Sequence, residues 1–351
     1  MPSAIVSNLW SPQIWIQGIA ETVSTFPSFI TSGAVFPSPF LDSVASGAGT
    51  AANIPFFRDI SDDAEAVQQE LVAASVGNHR GAVQVAAILN REVAWGSGAI
   101  AAAVTGSDVV GDITRQLGIA RQKRMQAAVI ATLRGLYAFF SAPGTNSALS
   151  TAATAVAGTR YDISIEAGNS ATSANLISSA GFNLAVGLMG ELGDSLVGSG
   201  AILMHPQIKA SLRTQDAANW STVPLSGQPA TLPTYKGIPV FLSSSLRRAG
   251  ATNGFVYDTY LVGAGSVGLG QKPQVGDQID VASLQYERKQ STNEEIIYDR
   301  TRYLVHVNGT AFTGSPAAQS ASNAELQTST NWQLRFGSPD RCGVVQIRTN
   351  G

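Results

Sequence analysis

Residues 112–140 restrict the possible folds more than any other segment. They read DITRQLGIARQKRMQAAVIATLRGLYAFF after Gly111, with Met125, Val129, Leu133, Leu136, Tyr137 and Phe140 at steps of three and four. Arg115, Arg121, Lys123, Arg124 and Arg134 take polar positions between them. That spacing predicts an amphipathic helix. Asp108 and Asp112 near its start suit the positive end of the helix dipole, and Pro143-Gly144 ends it. At 1.5 Å per residue the rod is about 43 Å long. Globular helices usually stop after about three or four turns.

The segments before it are of a different kind. Residues 1–50 are apolar and aperiodic, and Pro2, Pro12, Pro27, Pro37 and Pro39 forbid a long helix. They read as an extended arm whose aromatics, among them Trp10 and Trp15, need a surface to lie on, here expected to be a neighbouring subunit. Residues 51–95 read as a long hairpin. ANIPFFRDI is its outgoing strand, placed at an edge by Pro55, and GAVQVAAILNREVAW its return.

After the long helix come a Ser/Thr/Ala/Gly region, 142–172, with the strand candidate RYDISI, and a helix expected from Ser173 to about Leu192. Its glycines, Gly181, Gly187 and Gly190, cost about 1 kcal/mol each relative to alanine and call for close packing. SGAILMHP reads as a buried strand, QIKASLRT as a short helix and YKGIPVFLSS as a strand, with a turn at TNGF. From Val281 a long β ribbon alternates to Asn308-Gly309, and a small-residue linker leads to a final block, NWQLRFGSPDRCGVVQIRTN. The pattern is α+β, without regular β-α-β alternation or an internal repeat.

Composition adds one constraint. Only 13% of the 351 residues are charged, half of the ~25% usual in soluble domains. Mean hydropathy is +0.10. So weakly charged a chain lies in a membrane or buries surface against other subunits. No apolar run reaches the length of ~18 residues needed to span a bilayer, and Arg134 interrupts the best candidate. The first basic residue is Arg58, so no signal-peptide n-region is visible. Subunit burial is the better explanation. A net charge of −2 gives no global attraction to nucleic acid or anionic lipid. The single cysteine, Cys342, excludes an internal disulfide framework.

Candidate chemistry fails on context. Gly263-Ala264-Gly265-Ser266-Val267-Gly268 has the dinucleotide-turn spacing. That turn needs a helix starting within it to meet the pyrophosphate, and Gly270, Pro273 and Gly276 forbid one. No Gly-Lys pair offers a phosphate loop and no GxSxG elbow occurs. His79, His205 and His306 lack paired metal-ligand spacing, and His205 and His306 read as structural. The acidic cluster Asp62-Asp63-Glu65 reads as a solvated loop tip, and Glu294-Glu295 as a polar turn. The basic face of the 112–140 helix is open to nucleic acid, to a neighbour's carboxylates or to solvent.

The order of parts resembles the major capsid proteins of tailed bacteriophages, with the Hong Kong 97-type fold. LWSPQIW resembles the start of that family's arm, GAGTAANIPFF the start of its extended loop, and AAILNREVAW followed by TGSDVVGDITRQLGIARQKRMQAAVIATLRGLYAFF its loop exit and spine helix. MGELGDSLVGSGAILMHPQIKASL resembles the core of its axial domain. TYKGIPVFLSSSL, YDTYLVGAGSVGLG, YERKQSTNEEIIYDRTRYLVHVNGTAF and ELQTSTNWQLRF through VVQIRTN follow in family order.

The resemblance implies an N-terminal arm (1–50), an extended β-hairpin loop (51–95), a peripheral domain (96–172) with spine helix 112–140, and an axial domain (173–280). A peripheral β ribbon (281–313) and a C-terminal tail (314–351) complete it. It implies no enzyme, cofactor or metal, but a coat protein that self-assembles as hexamers and pentamers into an icosahedral shell around double-stranded DNA. That DNA would be contacted non-specifically, in a virion assembled in the host cytoplasm and with no membrane. Trp10, Trp15, Phe56, Phe57 and Arg58 are the expected inter-subunit contacts. Some relatives begin with a scaffolding segment that is removed; here the arm starts almost at residue 1, which points to a separate or dispensable scaffolding protein and leaves room for portal and decoration proteins. The alternatives are an encapsulin-like compartment shell and, far behind, a nucleotide-dependent enzyme using Gly263–Gly268. Relatives that weld subunits by isopeptide bonds use a lysine in the loop, and none of Lys123, Lys209, Lys236, Lys272 and Lys289 lies between 46 and 95.

Overall fold

Two sheets and one long helix make the frame. The computed structural model describes residues 29, 35–58, 67, 81–98, 109–140, 156–157, 159–194, 196–224, 231–276 and 280–351. Along the chain run β1 (Val35–Pro37), α1 (Pro39–Ser46), β2 (Ala51–Phe57), β3 (Gly81–Gly98), α2 (Val109–Phe140), β4 (Val156–Ala157), β5 (Arg160–Asp162), α3 (Ser179–Gly187) and α4 (Leu196–Ser199). Next come β6 (Ala201–Met204), α5 (Pro206–Gln215), β7 (Trp220–Pro224), β8 (Thr231–Tyr235), β9 (Ile238–Leu242), β10 (Arg247–Ala249), β11 (Phe255–Val262) and β12 (Val267–Gln271). β13 (Val275–Gly276), β14 (Ser283–Lys289), β15 (Glu294–Val307), β16 (Thr310–Phe312), α6 (Asn323–Gln327), β17 (Trp332–Leu334) and β18 (Val344–Thr349) complete the series.

The first nine-stranded sheet has the order β1-β12-β15-β3-β16-β17, with β2 beside β3 and with β14 pairing both β15 and β13. Its centre is the long antiparallel pair β15–β3, running from Glu294↔Gly98 to Val305↔Ala87. Beyond that pairing β3 runs on with β2, from Ala51↔Ala87 to Phe57↔Gly81. These strands form the predicted hairpin, and β14–β15 the predicted ribbon. The second nine-stranded sheet has the order β4-β5-β18-β11-β6-β9-β8-β7, with β10 on β11.

Helix α2 starts three residues earlier than predicted and joins the two sheets. The expected dipole partner Asp108 lies outside the described residues, as does the side chain of Asp112. Met125, Val129, Leu133, Leu136, Tyr137 and Phe140 are all buried, so the periodicity located the apolar face. They share one core with Leu89, Tyr303 and Val305 of the first sheet and with Leu203, Phe241 and Tyr260 of the second. Strand residues alternate faces. Ile202, Met204, Val240 and Leu261 accordingly point the other way, into a second core with Phe182 and Ala185 of α3 and Ile208 and Leu212 of α5.

Several expectations need correction. The helix expected over 173–192 is α3 flanked by short 3-10 turns, and Gly190 at φ +56° cannot continue it. Gly181 has the close packing predicted, since a Cβ there would lie 2.8 Å from the Tyr161 ring; Gly187 has no such neighbour. YKGIPVFLSS is not one strand: Lys236 and Gly237, at φ +49° and +79°, turn the chain from β8 into β9. Arg160–Asp162 of RYDISI forms β5, which pairs with β18 in the second sheet, while Ile163 onward leaves the strand. The segment 314–351, expected as a tail, is woven into both sheets: β17 pairs with β16, and β18 lies between β5 and β11.

Candidate functional surface

Trp10 and Trp15 lie outside the described residues. Phe56 and Phe57 end β2, where the period of two sends them to opposite faces, and Arg58 follows the strand. Ala52 and Ile54 pack on Leu41, Ala45, Ala86, Ile88 and Leu304. On their face the Phe56 ring meets Phe336 edge-on, centroids 5.4 Å apart. Phe56 thus has a ring partner within its own chain. Phe57 faces outward, 73% exposed, near the cross-strand pair of Pro55 with the exposed Val83. Arg58 is exposed as well.

A clamp that the sequence reading missed holds the root of this hairpin. Arg302 of β15 is buried. Its Nε donates to Ala45 O at 2.7 Å, Nη2 to Gly47 O and Gly49 O at 2.5 and 2.8 Å, and Nη1 to Asn90 Oδ1 at 3.1 Å. The carbonyls are those at and just beyond the C-terminus of α1, where a cation also meets the negative end of the helix dipole. Asp42 of α1 accepts from the Gln271 amide at 2.8 Å. The segment leading into the hairpin is therefore fastened to β12 and β15.

Two buried carboxylates rivet α2 to the sheets. Asp299 of β15 is fully buried and accepts from Arg121 Nε at 3.0 Å, Arg124 Nη1 at 3.4 Å and Gln274 Nε2 at 2.9 Å. Asp258 of β11 accepts from Arg134 Nε at 3.1 Å and Gln346 Nε2 at 3.2 Å, with Arg348 Nε 3.5 Å away. Arg348 continues to Asp162 at 3.4 Å, which also pairs with Arg160. Much of the helix's basic face is thus occupied inside the molecule. A lone aspartate in an apolar strand, as in YDTYLV and IIYDRTRYLV, is the sequence signal that could have found both sites.

The residues weighed as chemistry have structural roles here. Gly263–Ser266 is the turn that carries the chain from β11 in the second sheet to β12 in the first. Gly265 takes φ +69°, and Gly263 N donates to Gly343 O at 2.8 Å. A Cβ on Gly268 would lie 2.5 Å from Leu41 Cδ1, and one on Gly270 2.3 Å from Leu41 O. Those glycines let α1 lie on the sheet, and no helix starts there.

His205 caps α5, its Nδ1 accepting from Gln207 N at 3.1 Å. His306 is buried with Nε2 2.5 Å from Gln84 Oε1, an atom that also receives the Gly309 amide at 3.0 Å and so acts as acceptor. Among the described residues His306 Nδ1 has no hydrogen-bond partner. Burial pushes this histidine down to about 4. Burial also pushes the Cys342 thiol up to about 12, with Asp340 adding to the effect. Among the described residues no cluster of His, Cys, Asp and Glu could hold a metal, and no helix is long and apolar enough to cross a membrane. His79 and Asp62-Asp63-Glu65 lie outside the described residues.

No family model matches the chain. It is 24% identical over 350 residues to the major capsid protein of Bacillus phage SPP1, covering 98% of this chain and 97% of that protein. Among solved structures, the capsid of Ralstonia phage GP4 superposes with a TM-score of 0.56 at 13% identity, over 99% of this chain and 98% of that one. The capsid asymmetric unit of cyanophage Pam1 gives 0.55 at 13% identity, over 99% of both chains. The α+β Hong Kong 97-type architecture expected from the sequence blocks is the fold of this chain, and the likeness runs nearly end to end.

Proposed function

We propose that the chain is the major capsid protein of a tailed bacteriophage, many copies of which form the icosahedral shell around its double-stranded DNA. The observation that carries this reading is end-to-end similarity to a phage major capsid protein together with the capsid fold. Low charge fits it, because a shell subunit buries much of its surface on neighbours. Of the expected contact residues, Phe57 lies on the exposed face of the hairpin with Pro55 and Val83, and Arg58 is exposed just beyond the end of β2. The first sheet with α2 serves as the peripheral domain and the second as the axial domain. The role is structural, with no substrate and no cofactor. Scaffolding, portal and decoration proteins are partners of such a shell, and assembly takes place in the host cytoplasm.

Negative-stain microscopy of the purified protein tests this. Uniform hollow shells are expected. A protein that stays monomeric under all assembly conditions would sink the reading. Particles that fill with an enzyme cargo instead of DNA would favour the encapsulin-like alternative.

A further inference from the structure

The second sheet has two ends of opposite charge. Strand register fixes which residues share an end. At one end Ala201 pairs with Val262, and Val262 with Val344. At the other Met204 pairs with Leu242, and Tyr257 with both Thr349 and Arg247. The five steps from Tyr257 to Val262 separate these ends by about 17 Å.

The first end carries Glu191 and Asp194, both exposed and without an ion pair among the described residues. Beside them Val197 is 63% exposed. Its position is set by Gly237, whose Cβ would lie 3.4 Å from Val197 Cγ1. The cations of this end are already engaged: Lys236 Nζ donates to Asn183 Oδ1 at 2.5 Å, and Arg341 also has a partner. The second end carries Arg247, 4.4 Å over the ring of the 46% exposed Phe255. Lys209 stands one turn into α5, its amide bonded to His205 O. The His205 ring lies 4.8 Å from that of Tyr257. Neither Lys209 nor Arg247 has a carboxylate partner among the described residues. The carboxylates at this end are taken, Glu166 by Arg248 and Asp162 by Arg160 and Arg348. Burial and then Arg213 push the Lys209 ammonium down, as expected of a cation without a counter-charge.

We propose that these two ends are the halves of one heterologous contact: Glu191 and Asp194 of one copy against Lys209 and Arg247 of the next, with Val197 meeting the Phe255 ring. The inference rests on the proposed shell function and names the surfaces that would join axial domains into rings. A contact between two different patches closes into a ring when its rotation fits. Apolar contact flanked by charge is the usual interface anatomy, and charge complementarity sets partner and register. Within one copy the charges are too far apart to pair.

Charge reversal tests the contact. Glu191→Lys with Asp194→Lys makes both ends basic, and Lys209→Glu with Arg247→Glu makes both acidic. Each double variant alone should lose assembled particles more than tenfold in sedimentation, while its circular dichroism and melting stay native. An equimolar mixture should recover even-membered rings in which the two variants alternate, and the four-residue swap, which restores complementary ends on every copy, should form particles alone, pentamers included. Assembly of either double variant at the native level overturns the proposal, as does a mixture that forms no rings or a swap that fails to assemble. Particles of the acidic variant that form normally but lose DNA would also overturn it, by making the basic end a nucleic-acid surface. If the native chain forms no shell, the proposed function fails. The contact is then read from ring oligomers by light scattering, so the two failures are distinguishable.

Discussion

Gly135→Ala sets two effects of opposite sign against each other in the spine helix. Helix propensity alone favours alanine over glycine by about 1 kcal/mol. Gly135, however, faces α6: a Cβ there would sit 1.9 Å from Leu326 O and 2.5 Å from Trp332 Nε1. The indole donates to that same carbonyl at 2.7 Å and is buried. Van der Waals contact needs more than 3 Å, so the backbone of α6 must retreat by about 1 Å. Overpacking of this kind costs about 1–3 kcal/mol, and a stretched or broken buried hydrogen bond about 1–3 more. The net expectation is a loss of about 3 kcal/mol.

Gly118, in the same helix with nothing within 4 Å of its would-be Cβ, supplies the control. There propensity acts alone, and Gly118→Ala should stabilise by about 0.5–1 kcal/mol. Urea unfolding of unassembled subunits, followed by circular dichroism, measures both. If Gly135→Ala raises the midpoint as Gly118→Ala does, α6 does not seat on the helix and the steric argument is wrong.

Three further outcomes are expected. His306, held near 4 when folded, ordinarily titrates near 6.5, so between those values only the unfolded chain takes the proton. Stability is therefore full above about pH 6.5 and falls by up to about 3 kcal/mol on acidification toward pH 4. The shift in urea midpoint from pH 7 to 4.5 should shrink in His306→Asn, and an unchanged slope would assign the acid sensitivity elsewhere. Asp299→Asn and Asp258→Asn should each cost about 2 kcal/mol, at or below the usual range for a broken buried pair because their arginines reach water. The rivets sit about 20 Å apart along α2, so the double variant should show the sum within ~0.5 kcal/mol. Finally, no lysine lies between 46 and 95 and Cys342 is buried. Particles boiled in detergent and reductant should therefore run as one band near 36.5 kDa, and a ladder of multimers would reveal a covalent weld between other residues.

Features that depend on neighbours along the chain are legible in the sequence itself. The apolar face of α2 follows from a 3.6-residue period, and the β2–β3 hairpin and β14–β15 ribbon follow from alternation. The turn at Gly254, φ +66°, follows from Asn-Gly. The dinucleotide-like glycines are excluded as a cofactor turn on local grounds too, because the missing helix decides that motif. Why those glycines are there is not legible, since the reason is the close seat of Leu41, over 200 positions away. The same holds for Arg121 with Asp299, 178 positions apart, for Arg134 with Asp258, 124 apart, and for Arg302 with the end of α1. A charged side chain shows its type in the sequence but not its partner. Burial of Asp258 and Asp299 makes an ionic partner obligatory, yet which arginine supplies it is decided only when the helix is laid across both sheets. The placement of residues 314–351 is likewise tertiary, because a three-residue strand such as β17 has no stability of its own and exists only where an open sheet edge receives it.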